Sequence, residues 1–481
     1  MNIRLVFFFL GRLLLLLGVS MSFPLFWAFY YHGNDILPLV YAMSITIGAG
    51  FLFSFLGEGE GELGRKEGFA VVAFGWILAS AFGALPYVFS GVLPTFTDAY
   101  FEAMSGFTTT GASVLTHIEG SPLGILFWRD FTHWLGGMGI ILLSVAILPA
   151  LGVGGMQLVA AEVPGPVAEK LRPRIKETAK LLWIVYIILS AAEVLLLYFG
   201  GMNLFESLCH MFGTMATGGF STRNASIGAY HSVYVDIVII VFMFIAGANF
   251  SLHYYALKGR LKVYKDAEFL FYTVFTAFSV LLITFDLWHH HVYKSIGQDL
   301  RYASFQAISI MTTTGYATAD FGKWPYLSQF FLLFLMFVGG CAGSTGGAIK
   351  HIRIMVLLKD GVRRLYRLIH PRAVMPIVLN KEVVSEEVVA DIHSFFLLYM
   401  LMFVVATIYM SSLGLDTITA ISSVAATLGN IGPGLARVGP AQNYAFVPVA
   451  GKWLLSMCML LGRLEIYTVL VLLLPTTWRK V

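Results

Sequence analysis

Four short runs of threonine and glycine recur along this chain: "FTTTGAS" (107–113), "MATGGFS" (215–221), "MTTTGYAT" (311–318) and "ATLGNIGPG" (426–434). Aligned on Gly111, Gly219, Gly315 and Gly429, they place Thr109, Thr217, Thr313 and Thr427 two residues before each glycine. Thr110, Gly218, Thr314 and Leu428 stand between, and Asn430 follows the last glycine. Glycine permits the backbone angles that turn a carbonyl inward, and β-branched threonine stiffens an extended stretch while offering a hydroxyl. Four such loops around one pseudo-fourfold axis would aim carbonyl oxygens at a common centre. A ring of that kind replaces the hydration shell of a cation and suits a large, weakly hydrated ion such as K+.

Each run follows a short, moderately apolar stretch, such as "FTDAYFEAMSG" or "LFESLCHMFG". These stretches are too short to cross a hydrocarbon core of about 30 Å, so they read as re-entrant half-helices. Their C-terminal dipole ends add negative potential at the centre. Non-helical backbone at membrane depth is tolerated only when it is buried in protein or lines a watery path. Threonine and glycine also let helices pack closely, but four runs in register within a repeat of about 100 residues argue for the ring. Each unit reads helix, half-helix with a Thr/Gly turn, helix.

The background is that of a membrane protein. The 481 residues are 58% hydrophobic and 12% charged, with mean hydropathy +0.79. Soluble domains average about 45–50% and about 25%. Spans are predicted near 7–31, 38–56, 68–90, 125–148, 178–200, 231–257, 266–288, 326–357, 389–412 and 448–475. The expected fold is all-α and polytopic. Two N-terminal transmembrane helices (1–67) precede four pseudo-repeats of helix, pore loop and helix at 68–177, 178–265, 266–388 and 389–481. The first apolar stretch is too long for a signal peptide and lacks a cleavage site, so it reads as a retained helix. Cys209, Cys341 and Cys458 are too widely spaced for a disulfide framework or a metal pattern. Most of the 31 Lys and Arg fall in 57–67, 149–177, 258–265, 358–388 and the tail. The positive-inside rule assigns those segments, and both termini, to the cytoplasm.

Two features inside spans need a reason. The predicted eighth span holds Gly339, Gly340, Gly343, Gly346 and Gly347, with Ser344 and Thr345 among them. At about 0.5–1 kcal/mol per glycine relative to alanine, that composition predicts an unwound intramembrane loop. It lacks the spacing and the preceding strand of a phosphate-binding loop. Arg463 lies within the last span, where a charge is expensive and faces an interior or a cavity. Counting along the helices puts Gly339 and Arg463 at matched depth, about 20 Å below the outer surface. Thirteen residues before the aligned glycines stand Asp98, Glu206, Tyr302 and Asp416, and nine before stand Glu102, His210, Gln306 and Ala420. Asp98, Glu102, Glu206 and Asp416 at an outer mouth would concentrate cations. Helix N-capping is the competing role, above all for Asp98 and Asp416.

The fourfold plan with "TTTGAS", "ATGGFS", "TTTGYAT" and "TLGNIGPG" resembles the Trk/Ktr/HKT superfamily of potassium transporters over nearly the whole chain. "HWLGGMGIILLSVAILP" (133–149) and "GGCAGSTGGAIKHIR" (339–353) resemble it too. The two extra N-terminal helices, the length and "NIGPG" favour the bacterial TrkH type. The resemblance implies potassium uptake across a bacterial inner membrane, with K+ as the transported ion, Na+ and other alkali cations as further candidate partners, and no covalently bound cofactor. It implies that the glycine-rich loop and Arg463 together obstruct the pore. It also implies a homodimer and a cytosolic nucleotide-binding ring that docks on basic segments such as 170–176, 258–265 and 359–367. Nothing points to nucleic acid as a partner. The competing class is a polytopic transferase using His133, His210 or His253. That reading requires catalytic groups clustered at one membrane face and no fourfold repeat, whereas this sequence has the repeat and scatters its histidines.

Overall fold

The computed structural model describes residues 1–59, 64–142 and 171–478. The end of the predicted fourth span and the loop after it, through Lys170, lie outside the described residues. Of the basic stretch 170–176, only the helical backbone from Leu171 is described.

Among the described residues, six helical stretches are long and apolar enough to cross a membrane: Ile3–Tyr30, Ile36–Leu56, Lys66–Phe89, Ala179–Phe199, Ala267–His289 and Glu386–Ser412. Their outward faces carry large apolar side chains such as Phe55, Phe199 and Leu281, as lipid-facing helices do. The first two pack as a tight antiparallel pair through small residues. A Cβ on Gly11 would stand 2.4 Å from Ser54 N, and one on Gly50 would stand 2.8 Å from Leu15 N. Buried Asp35 ties this pair to the first repeat by accepting from Ile125 N at 3.0 Å.

Three predicted spans are broken rather than continuous. The sixth consists of Val233–Ala246 and Phe250–Leu257, bent by 103°. Asn249 starts the second piece by accepting from Ser251 N at 2.9 Å, a cap that stops one helix and begins another. The tenth consists of Val449–Arg463 and Tyr467–Leu473, bent by 116°. Glu465 and Ile466 there take positive φ values of 57° and 56°. The eighth stops at Leu335 and resumes only at His351, leaving the glycine-rich segment non-helical, as its composition predicts. A small hairpin, Ile377–Leu379 paired with Glu382–Val384, is an addition. It turns through Asn380 and Lys381, both at positive φ, as a tight two-residue turn requires.

Four short helices do not cross: Phe96–Phe107, Leu204–Met215, Ile296–Met311 and Thr417–Leu428. At 1.5 Å per residue a twelve-residue helix reaches only about 18 Å. Each is started by a side chain that accepts from the backbone three residues on: Thr95, Asn203, Ser295 and Asp416. Each ends inside the protein, on a Thr/Gly run.

Candidate functional site

All four short helices end in the same hydrogen-bonded cap. Thr110 N, Gly218 N, Thr314 N and Ile431 N donate to the carbonyls of Ser105, Gly213, Ser309 and Ala426, at 2.7–2.8 Å. The residue before each donates to a carbonyl three back: Thr109 to Gly106, Thr217 to Thr214, Thr313 to Ile310 and Asn430 to Thr427. This is the pattern in which a left-handed residue closes a helix, a place usually taken by glycine or asparagine. Here Thr109, Thr217 and Thr313 occupy it with φ of 51°, 53° and 62°, and Asn430 with 55°. A β-branched residue in that region is strained by roughly 1–3 kcal/mol and persists only where its surroundings fix it. Two residues on, Gly111, Gly219, Gly315 and Gly432 also take positive φ.

The four loops meet in a closed circuit. A Cβ on Gly111 would stand 2.1 Å from Gly218 O, and one on Gly219 would stand 1.9 Å from Thr314 O. One on Gly315 would stand 1.9 Å from Ile431 O, and one on Gly432 would stand 2.6 Å from Thr110 O. Each glycine therefore lies against the carbonyl of the next loop, and the fourth returns to the first.

That circuit corrects the sequence alignment of the fourth loop. Its ring glycine is Gly432, not Gly429, and its members are Asn430, Ile431 and Gly432. Thr427 and Leu428 belong to the last turn of the short helix, and Gly429 is its cap at φ −80°. The "T-x-G" of 427–429 imitates the other loops, but the helix runs through it. Correcting the register moves Asp416 and Ala420 out of their assigned positions, which Thr419 and Ser423 take instead.

The expected outer acids are engaged with the protein. Asp416 caps its helix. Asp98 pairs with Lys452 at 2.5 Å, and Glu206 pairs with Arg223 at 2.6 Å. Glu102 is wholly buried rather than exposed at a mouth. It accepts from Arg129 Nε at 2.7 Å, Ser113 Oγ at 2.8 Å and Val114 N at 2.9 Å, pinning the chain just beyond the first loop. His210 and Gln306 make the matching bonds, to Ser221 Oγ at 2.9 Å and Thr318 Oγ1 at 3.3 Å. Arg129 Nη1 also donates to Ser221 O at 3.1 Å and its guanidinium lies over Phe220, joining the first loop to the second. Arg129 was not among the expected site residues, although a charge inside the apolar helix Leu123–Leu142, next to Asp130, was the available signal.

The segment between Leu335 and His351 lies directly against the four caps. Gly347 N donates to Thr313 Oγ1 at 2.7 Å, and a Cβ on Gly347 would stand 2.4 Å from Gly429 O. Thr345 Oγ1 donates to Met215 O at 3.1 Å. Arg463, buried and 3% exposed, donates through Nη1 to Thr345 O at 2.7 Å and through Nη2 to Gly136 O at 3.4 Å. Loop and arginine thus touch all four repeats close to the four helix caps. Glu268 Oε1 ties the middle of the segment to the helix that follows it, accepting from Ala342 N at 2.8 Å and Ile352 N at 3.0 Å. Arg353 pairs with Glu465 at the break of the last span, at 2.6 Å. Gly340 and Gly343 pack against Gly247 and Asn249, the break of the sixth span. Ser344 Oγ donates to Cys341 O at 2.7 Å, and Gly346 approaches Thr312 O.

Beyond that segment, Arg363 is not a free docking charge. It is 5% exposed, bonded to Asp360 at 2.5 Å and to exposed Glu386. Burial opposes ionisation of Asp360, but hydrogen bonds from Arg364, His393 and Arg363 outweigh it and hold the carboxyl below its ordinary range. His133, His210 and His253 all have backbone or hydroxyl partners, and no metal-holding cluster occurs among the described residues.

The sequence matches the TrkH family, described as cation transport protein, over residues 38–479. It is 43% identical to the Trk system potassium uptake protein TrkH of Escherichia coli (strain K12), covering 100% of both chains. It is 34% identical to the Trk system potassium uptake protein TrkG of the same strain, over 100% of this chain and 99% of that one. The fold superposes on the crystal structure of the potassium transporter TrkH from Vibrio parahaemolyticus with TM-score 0.92 and 39% identity, covering 100% of both chains.

Proposed function

This chain belongs to the TrkH family of cation transport proteins, and from that premise we propose how it moves potassium ions across a bacterial inner membrane. It is a transporter and not an enzyme. The observation that carries the reading is the closed circuit in which each ring glycine lies against the next loop's carbonyl. K+ sheds water into the carbonyls of Thr110, Gly218, Thr314 and Ile431, with Thr109, Thr217, Thr313 and Asn430 fixing the turns above the loop. Carbonyl dipoles in a ring discriminate K+ from the smaller, more strongly hydrated Na+. Below them the segment 336–350 and Arg463 form the closed gate, by steric obstruction and by positive charge.

Both termini and the basic segments face the cytoplasm. The active unit is a homodimer, controlled by a nucleotide-binding ring protein that docks on the largely exposed stretch Lys258–Lys265 and on Arg364. Uptake of potassium by cells lacking other importers tests the reading. The wild-type chain restores growth at low potassium, whereas Gly315→Ala, expressed equally, loses discrimination against sodium. Unaltered selectivity in that variant would overturn the ring assignment.

A further inference from the structure

Glu193 is the least expected side chain in the fold. It lies on the inward face of Leu171–Phe199, the first long helix of the second repeat, and is 0% exposed. Among the described residues neither Oε1 nor Oε2 has a hydrogen-bond partner. The Thr214 hydroxyl lies beside it but gives its proton to His210 O at 2.8 Å. Thr214 is on the last turn of the second pore helix, and its carbonyl accepts from Thr217 N of the ring at 3.0 Å. Tyr316, the residue after ring glycine Gly315, is also within electrostatic reach of Glu193. Its hydroxyl donates to His210 O at 2.8 Å. Glu193 therefore sits directly behind two of the four loops.

Among the described residues no cation pairs with it. On the packed helices, Arg129 is bonded to Glu102, and Asp130 lies beside Arg129 and Cys209. His133 bonds Gly106 O and Phe220 N, and His210 bonds Glu206 O and Ser221 Oγ. His253 bonds Ile245 O and Tyr264 Oη, and Asp236 faces Arg301. Tyr186 on the same helix and Tyr316 are neutral phenols, and Arg463 is turned to Thr345 O. A carboxylate buried in a membrane without a counter-charge is costly, so the neutral acid is the resting form.

We propose that Glu193 is a proton-binding site that sets cation occupancy of the ring. Loss of its proton to bulk water leaves one negative charge behind the second and third loops, and that charge draws K+ into the carbonyl ring. Transport at low potassium therefore rises with pH through this residue. The inference rests on the ring being the ion path.

The test uses the full chain reconstituted in vesicles of phosphatidylethanolamine and phosphatidylglycerol. Rubidium-tracer uptake at sub-saturating potassium is read with equal pH on both sides, from about pH 6 to about pH 9. Infrared difference spectra of the same samples read the protonated carboxyl band. Wild type gains uptake several-fold as pH rises. Glu193→Gln, which keeps the shape, gives a flat profile and lacks the titrating band, while Glu193→Asp keeps both with a shifted midpoint. A wild-type slope that survives in Glu193→Gln, or an absent slope in wild type that transports, overturns the proposal. Where wild type stays closed without a cytosolic partner, the infrared band decides on the proton site by itself, and unaltered selectivity in Gly315→Ala is what refutes the ion-path reading instead.

Discussion

Replacing Arg463 with alanine should open the pore. The Nη1–Thr345 O bond at 2.7 Å is a charge-assisted bond in a buried setting, and Thr345 in turn holds Met215 O at 3.1 Å. Bonds to charged groups contribute about 1.5–3 kcal/mol net. At about 1.4 kcal/mol per factor of ten, losing that contribution from the closed state raises the open population roughly 10- to 100-fold, until opening saturates. A second effect has the same sign. A unit charge about 4 Å from a passing K+ repels it by about 4 kcal/mol at an effective dielectric of about 20. Arg463→Gln separates the two, because it can still donate to Thr345 O but carries no charge. Rubidium flux in vesicles without any cytosolic partner is the assay. Expected are high flux in Arg463→Ala, intermediate flux in Arg463→Gln, and K+ over Na+ preference kept in both, since the ring above is untouched. A folded Arg463→Ala protein with no transport would show that Arg463 anchors the structure and that the gate lies elsewhere.

Further outcomes follow from the same contacts. Gly432→Ala puts a Cβ 2.6 Å from Thr110 O at a φ of 97° and should lower K+ over Na+ discrimination, read as a competitive flux ratio in equally expressed protein. Glu268→Ala strands the Ala342 and Ile352 N–H groups, at about 1–3 kcal/mol each, and should raise leak through a loosened gate segment. Arg363→Ala removes one of the three partners of Asp360 and should lower stability by about 1.5–3 kcal/mol, seen as a lower melting temperature. The Asp360 carboxyl titrates below its unfolded value of about 4. Its contribution is therefore complete above that pH and is lost as acid takes the pH down through the depressed value. Melting temperatures of Asp360→Asn should accordingly lose the acid-sensitive part of the wild-type profile.

Much of this was legible in the sequence because the signals were periodic. Apolar runs of span length, basic loops and four Thr/Gly clusters each follow from solvation by lipid, and the structure and its relatives agree with the fold they predict. The unwound segment was legible for a similar reason, since five glycines do not hold a helix. What failed had local causes. Thr427-Leu428-Gly429 copies the composition of the other loops, but conformation and not composition defines the ring. Asn430, which tolerates a left-handed φ, followed two residues later by Gly432, was the signal for the correct register. The break near Glu465 carries no proline and only one nearby glycine, Gly462, so nothing in the sequence announced it. Glu102 read as a mouth acid because its partner, Arg129, is 27 residues away and meets it only in the folded chain.

The central claim is that K+ is dehydrated by the carbonyls of Thr110, Gly218, Thr314 and Ile431. Anomalous diffraction from crystals grown with rubidium or thallium in place of potassium tests it most directly. A strong peak is expected on the pseudo-fourfold axis, encircled by those four carbonyls and centred on the level of Gly111, Gly219, Gly315 and Gly432. An axis without a peak there, in protein that transports rubidium, would contradict it.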